Sequence, residues 1–263
     1  MLDYSELLLY NLKMNILTEF LESLKQTTES ISESTANKKS SESLEDTLQK
    51  VLINNGLLDL TADLELCHKG EINYFSNATT KSARKTQWGV IKNYINDYGP
   101  SDQQTLRKDL NGMFPANCFI RHPNGSQNHI DFLIIINGWM LYWEIKTGGG
   151  LSGKLNDRPI PAQFFVLSCS RHKEAKDLPF TWFQMGDIMS NSAYKEAGQV
   201  EILINNYKKE LQLLTGKTEY LSKASLRAIY GWGKSNNDWY RKTINSLDRA
   251  TREQKVLDLI NSL

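Results

Sequence analysis

Cysteine and histidine are scarce in this chain, at 3 and 4 of 263 residues, and each shortage excludes a class of protein. Cys67, Cys118 and Cys169 are odd in number and far apart, which argues against a disulfide framework and reads as reduced thiols. His68, His122, His129 and His172 show no paired ligand spacing, and the adjacent Cys67-His68 suits no ordinary zinc knuckle. A run of ~18 apolar residues is missing, as is a basic signal segment, so the chain is expected neither to span a membrane nor to be exported; the expected location is cytoplasmic. What remains, with 40% hydrophobic and 23% charged residues, is ordinary globular material, long enough for one large domain or one domain with additions.

Excess charge of one sign is also lacking, since the net charge is +1. Its distribution is uneven, however. Residues 1–66 carry 5 Lys and Arg against 12 Asp and Glu, residues 67–150 carry 9 against 6, and residues 151–263 carry 17 against 12. A basic body behind an acidic N-terminal part suits a DNA cleft on the body and a partner surface on the N-terminal helix.

The most informative stretch is QNHIDFLIIINGWMLYWEIKTGGG, residues 127–150. Two apolar runs of strand length, rich in Ile, Phe, Tyr and Trp, flank Asn137-Gly138, the strongest short hairpin signal. If the turn has two residues, Ile136 faces Trp139 and, stepping outward, Asp131 faces Glu144. Opposite residues of an antiparallel pair share a face and side chains alternate along a strand, so Asp131, Glu144 and Lys146 project to one side. Like charges about 5 Å apart across a sheet destabilise it unless something positive lies between them. Mg2+ meets that need: it takes oxygen donors, keeps several waters and commonly uses one or two protein carboxylates together with substrate phosphates. Lys146 can then hold or polarise an attacking water and offset charge building on a phosphate. The plain alternative is an ion pair at a strand end, which accounts for most acid-x-lysine triplets. The matched acid across an Asn-Gly turn, on strands too apolar for a solvated edge, favours the metal site.

Elsewhere the pattern predicts a mixed α/β chain, a central sheet with helices on both faces and no internal repeat. Residues 4–26 form an apolar helix with Leu9, Leu12, Ile16, Phe20 and Leu24 near helical spacing, able to pack on its own domain or on a second copy. The polar residues 27–43 read as a linker, and residues 44–263 as the main domain. SESLEDTLQKVLINNG, residues 41–56, is predicted as the first core helix, with a serine cap, acids in its first turn and Gly56 at its end. Residues 86–98, 102–112, 191–214 and 238–262 read as further helices. NCFIRH reads as the first core strand and residues 162–169 as the strand after the hairpin.

Asp, a spacer of about a dozen residues, then Glu-x-Lys on the adjoining strand resembles the PD-(D/E)XK nuclease superfamily. Further stretches are similar to members that serve as type II restriction endonucleases: PNGSQNHIDFLI (residues 123–134), which leads into the acid; GKLNDRPIPAQFFVLSCS (residues 153–170), with an Asn and a Pro before the next strand; and TWFQMGDIM (residues 181–189), a short strand with a Gly-Asp step. The resemblance spans about residues 42–190 and departs at Ile130, where the family name has Pro. It implies a restriction-endonuclease-like core, a central mixed sheet flanked by helices, preceded here by the N-terminal helix. It also implies Mg2+-dependent hydrolysis of double-stranded DNA at a short specific sequence, with Asp131, Glu144 and the Ile145 carbonyl as metal ligands and Lys146 as the catalytic lysine. Many such nucleases add an acid from the first core helix. Glu45 is the candidate to hold a metal ligand in place or to bind a second metal, although Glu42, Glu45 and Asp46 equally complement the helix dipole. A homodimer follows from the family and from the two strands to be cut, and a cognate DNA methyltransferase is the expected functional partner.

Other segments bear on DNA contact. GGGLSGKL, residues 148–155, fits the first seven places of a phosphate-binding loop, but Leu155 stands where Mg2+ binding needs Ser or Thr and NDRPIP breaks the helix the motif requires. The same stretch reads instead as a loop beside the acids, with Lys154, Asn156 and Arg158 facing DNA. AIYGWGKSNNDWYRK, residues 228–242, offers Lys234, Asn236 and Asn237, side-chain types that read base edges or neutralise phosphates; its aromatics equally suit helix packing. Gln127 and Asn128 lie beside Asp131, and Arg84-Lys85-Thr86-Gln87 is a further contact candidate. The rival readings are a repair or modification-dependent endonuclease on the same core, a catalytically inactive DNA-binding module, and a hydrolase of small phosphate esters.

Overall fold

The computed structural model describes residues 17–24, 40–74, 79–124, 130–148, 160–170, 180–189, 191–215 and 248–263. Seven strands form one mixed sheet: β1 (Leu58–Asp59), β2 (Arg107–Lys108), β3 (Cys118–Arg121), β4 (Phe132–Ile136), β5 (Trp139–Gly148), β6 (Phe165–Ser170) and β7 (Phe180–Gln184). They lie in the order β1-β3-β4-β5-β6-β7, with β2 also on β5; β1 runs parallel to β3 and β5 to β6, and the other pairs are antiparallel. The helices are α1 (residues 17–24), α2 (Ser40–Asn54), α3 (Thr61–Lys69), α4 (Lys81–Asn96), α5 (Asn191–Thr215) and α6 (Arg249–Ser262).

The β4–β5 hairpin is the centre of the sheet. Asn137 and Gly138 both take left-handed backbone, at φ 52° and 78°, the pair of conformations that a type I′ turn demands. Its register is the one read from the sequence, from Ile136 opposite Trp139 to Phe132 opposite Trp143. All five residues of β4 are buried, as expected of a strand covered on both faces.

Alternation sorts the core into two layers. Phe132, Ile134, Ile136, Leu141, Trp143 and Ile145 meet α1, α2 and α6; Leu133, Ile135, Met140 and Tyr142 meet α3, α4 and the start of α5. The second layer is therefore the face of the even-numbered residues of β5, which include Glu144 and Lys146. On the first layer α6 is pinned to the sheet by Trp182 Nε1, which donates to the Glu253 carbonyl at 3.1 Å.

Several expected elements differ from those observed. Residues 102–112 contain a short strand where a helix was expected. β6 pairs with β5 only from Trp143 onward, leaving the edge at Trp139 and Met140 open, and β2 fills it. The Asp109 carboxylate also takes the Met113 and Phe114 amides at 3.0 and 2.7 Å, which favours turn over helix. α4 starts at Lys81, earlier than expected, because the Thr80 hydroxyl caps it by accepting from the Ala83 amide at 3.2 Å. α2 begins at Ser40, so the end of the expected linker is helical. β1 and α3 were not foreseen; both are too short or too weakly amphipathic to stand out. In α1, Leu17, Phe20, Leu21 and Leu24 are buried in the chain's own core, and the Thr18 hydroxyl donates to Asn261 Oδ1 at 2.8 Å. Residues 4–16, 25–26 and 238–247 of the expected helices lie outside the described residues. β7 and the Gly-Asp step follow the expected order: a Cβ on Gly186 would come within 2.5 Å of Gln104 Cγ, and Gln104 Nε2 donates to Asp187 Oδ1 at 2.9 Å. A side chain at Gly186 would therefore have to displace Gln104 from this position.

Candidate active site

At the open end of the hairpin the regular register stops one residue short of Asp131. The Asp131 amide donates to the Trp143 carbonyl at 3.0 Å, one place out of step with Phe132 opposite Trp143, so two residues oppose one. The offset bends the chain. Ile130 follows with φ 79°, a conformation that is a real outlier for a β-branched residue and costs about 1–3 kcal/mol.

That bend interlocks the two acids. The Ile130 amide donates to Glu144 Oε2 at 2.9 Å, and the Ile145 amide donates to Asp131 Oδ2 at 2.6 Å. Lys146 Nζ bonds the other Glu144 oxygen, Oε1. Asp131, Glu144, Ile145 and Lys146 are therefore gathered as expected, with Glu144 almost fully buried and Lys146 partly exposed. Because the N–H and C=O of one strand residue leave on the same edge, the Ile145 carbonyl faces the Asp131 side, beyond the end of β4.

The pair is short of positive charge. Burial, and then the charge of Glu144, push Asp131 up from the ordinary carboxylate range to about 7, against the opposing pull of Lys146. Oxygen donors with a deficit of cation suit a hard divalent ion. Among the described residues no group of three or more His, Cys, Asp or Glu side chains is arranged to hold a metal, and an Mg2+ site with several waters needs only one or two carboxylates.

Glu45 sits beside the site, with one of its two oxygens, Oε2, held by side chains at the end of β3. On α2 it is buried, and its Oε2 accepts from Arg121 Nη2 at 3.0 Å and from His122 Nε2 at 2.9 Å. Asp46 bonds Arg121 from the outside at 2.6 Å. Burial raises the Glu45 carboxyl, but the hydrogen bonds from His122 and Arg121 outweigh it and hold the group below its usual range. The hydrogen bond to Glu45 raises His122 in turn. His122 also donates its backbone amide to the Asp131 carbonyl at 2.8 Å, and its Nδ1 lies 3.8 Å from Asp131 Oδ1.

Arg121, His122 and the Ile130 amide were missed in the sequence. The signal was present in NCFIRH: two charged or titratable residues at the end of an otherwise buried strand need partners. Gln127, Asn128, Lys154, Asn156, Arg158, Lys234, Asn236 and Asn237 lie outside the described residues. Within Arg84–Gln87, two side chains are engaged in holding α4 to the preceding segment: Arg84 Nη1 donates to the Glu71 carbonyl at 3.4 Å, and Gln87 Oε1 accepts from the Tyr74 amide at 3.0 Å. Lys85 is exposed.

Compared with models of protein families, with curated proteins and with solved structures, the chain has no match in any of the three. No helix among the described residues is long and apolar enough to cross a membrane.

Proposed function

We propose that this chain is a Mg2+-dependent endonuclease acting on double-stranded DNA, built on a restriction-endonuclease-like core and similar in its chemistry to type II restriction enzymes. The observation that carries the reading is the interlocked acid pair: Asp131 and Glu144 each accept a main-chain amide from beside the other, with Lys146 on Glu144. Burying Glu144 almost fully and Asp131 in large part is costly for carboxylates, and a strained Ile130 adds to it. A purely structural ion pair needs only one of those acids.

Asp131, Glu144 and the Ile145 carbonyl would hold the ion. When bound, Mg2+ polarises the phosphate and lowers the pKa of its water. Lys146, released from Glu144, orients the attacking water and balances the charge that builds on the phosphoryl oxygens. Water oxygen bonds to phosphorus as one phosphorus–oxygen bond of the backbone breaks, leaving a phosphate monoester and a hydroxyl. A homodimer, with one site for each strand, and a cytoplasmic location alongside a protecting methyltransferase belong to the same proposal.

The test is incubation with unmethylated phage or plasmid DNA, with Mg2+ or with chelator, beside Glu144→Ala. Discrete fragments that need Mg2+ and vanish in the variant support a site-specific endonuclease, and sequencing their ends gives the site. Cleavage confined to methylated or branched DNA moves the reading to a modification-dependent or repair enzyme. Binding without cleavage of any of these DNAs leaves the inactive module.

A further inference from the structure

On the nuclease reading, we propose that His122 is a positioning residue for the metal-binding Asp131, and that the helix acid Glu45 acts on the site through it. The argument starts from strand alternation. Phe119 faces the α1, α2 and α6 layer, whereas Cys118 and Ile120 face the other. Arg121 therefore belongs on the α2 side, where it meets Glu45, and a regular strand would send His122 to the opposite face. Instead both consecutive residues reach the same Glu45 oxygen. The cause is the His122 backbone, at φ 48° just beyond β3, which breaks the alternation and carries the ring around the end of the sheet. His122 thus touches both Glu45, on the first layer, and Asp131, at the hairpin's open end.

Its contacts define what it does there. The backbone amide fixes the Asp131 carbonyl at 2.8 Å, and Nε2–H donates to Glu45, which sets the tautomer and leaves Nδ1 toward Asp131. Nδ1 is buried and has no hydrogen-bond partner, and at 3.8 Å it is too far from Asp131 Oδ1 for a hydrogen bond. Asp131 Oδ2 is already held by the Ile145 amide. The ring therefore stands as a wall behind Oδ1, limiting its rotation and leaving that oxygen for a cation. Carboxylate–histidine pairs that orient a metal ligand at one remove change metal affinity or activity by about 10–100-fold when removed.

The experiment is calorimetric titration of Mn2+ into the full chain without DNA, for wild type, His122→Gln, Glu45→Gln and the double variant, with thermal melts to verify folding. Each single change is expected to weaken Mn2+ binding about 10-fold or more, and the double variant to bind no more weakly than His122→Gln alone, because the two act in series. In DNA cleavage the Mg2+ concentration for half activity rises while KM for DNA stays unchanged. Asp46→Asn, which removes only the outer partner of Arg121, binds Mn2+ as wild type does. If His122→Gln does not fold, His122→Asn takes its place in the cycle. Additive losses overturn the relay, and unchanged Mn2+ affinity in the folded single variants overturns the positioning role; in both cases Mg2+-dependent cleavage by wild type keeps the nuclease reading intact. A wild type that neither binds Mn2+ nor cuts DNA overturns both.

Discussion

The two ends of the β4–β5 hairpin are built by opposite means. At the closed end, left-handed backbone falls on Asn137 and Gly138, residues that tolerate it, and the strands keep perfect step. At the open end, left-handed backbone falls on Ile130 and His122, which tolerate it less, the step is lost by one residue and two carboxylates are buried. Local preference alone explains the first end. The second exists only because tertiary contacts impose it: the Ile130 amide on Glu144, the Ile145 amide on Asp131, and the Glu45–His122 bond. Strain held in place by specific polar contacts is where function is to be sought.

On the proposed nuclease reading, the comparison predicts that changes at the open end destroy DNA cleavage, while changes at the closed end affect stability. The largest effect is expected for Lys146→Ala, which removes the cation nearest the acids: cleavage falls by on the order of 10²–10³ in rate, measured under single-turnover conditions. A variant that cuts at the wild-type rate would remove Lys146 from the chemistry. Next comes Ile130→Pro, which introduces the residue found in the name of the superfamily that the motif resembles. Proline cannot adopt φ 79° and has no N–H for Glu144, so destabilisation of about 3 kcal/mol or more is expected in chemical denaturation, with loss of cleavage. Ile130→Val keeps the amide and is expected to cost only about 0.5–1.5 kcal/mol. Should proline be accepted without loss, the open end would not be strained in the way described.

What the sequence revealed follows the same divide. Asn137-Gly138 and the apolar runs beside it dictate turn and register by short-range rules, and that register brings Asp131 near Glu144 and Lys146; the one-residue offset at Asp131, which no short-range rule announces, sets how the acids interlock. Glu45 was legible as an acid on the first core helix, but its engagement with Arg121 and His122 depends on a contact 76 positions along the chain and a left-handed histidine that no local pattern announces. The region 102–112 was misread because the open edge of β5, which draws Arg107 and Lys108 into the sheet, exists only once β6 is placed. Long-range pairing decides such segments, and propensity yields to it.

At the closed end, Asn137→Ala is expected to lower stability by about 1–2 kcal/mol, the cost of left-handed backbone for a residue without a side chain that favours it. Asn137→Gly is expected to be nearly neutral. Neither changes the cleavage rate of the folded protein, since the turn lies at the far end of β4 from the acids. A loss of cleavage in Asn137→Ala at a temperature where the protein remains folded would break the separation between the two ends.

The smallest effect is the pH dependence of the metal-free protein, and it probes the open end alone. Asp131 is raised by burial and by Glu144 to about 7, so the folded state holds its proton more tightly than the unfolded chain. Stability from that group is full below its ordinary value near 4 and is lost as pH rises to about 7. His122 is raised by its hydrogen bond to Glu45, so its contribution is full below the ordinary histidine value and is lost as pH rises through the folded one. The depressed Glu45 works the other way, losing stability only as pH falls through its own lowered value, outside this window. From about pH 5 to about pH 8 the two raised groups, Asp131 and His122, therefore both predict a falling Tm in chelator, by about a few degrees. Mg2+ supplies the missing charge without a proton and is expected to flatten that fall, as is Asp131→Asn. A Tm that instead rises over this range in chelator would mean that the two acids do not repel, and the argument for a cation between them would fail at its first step.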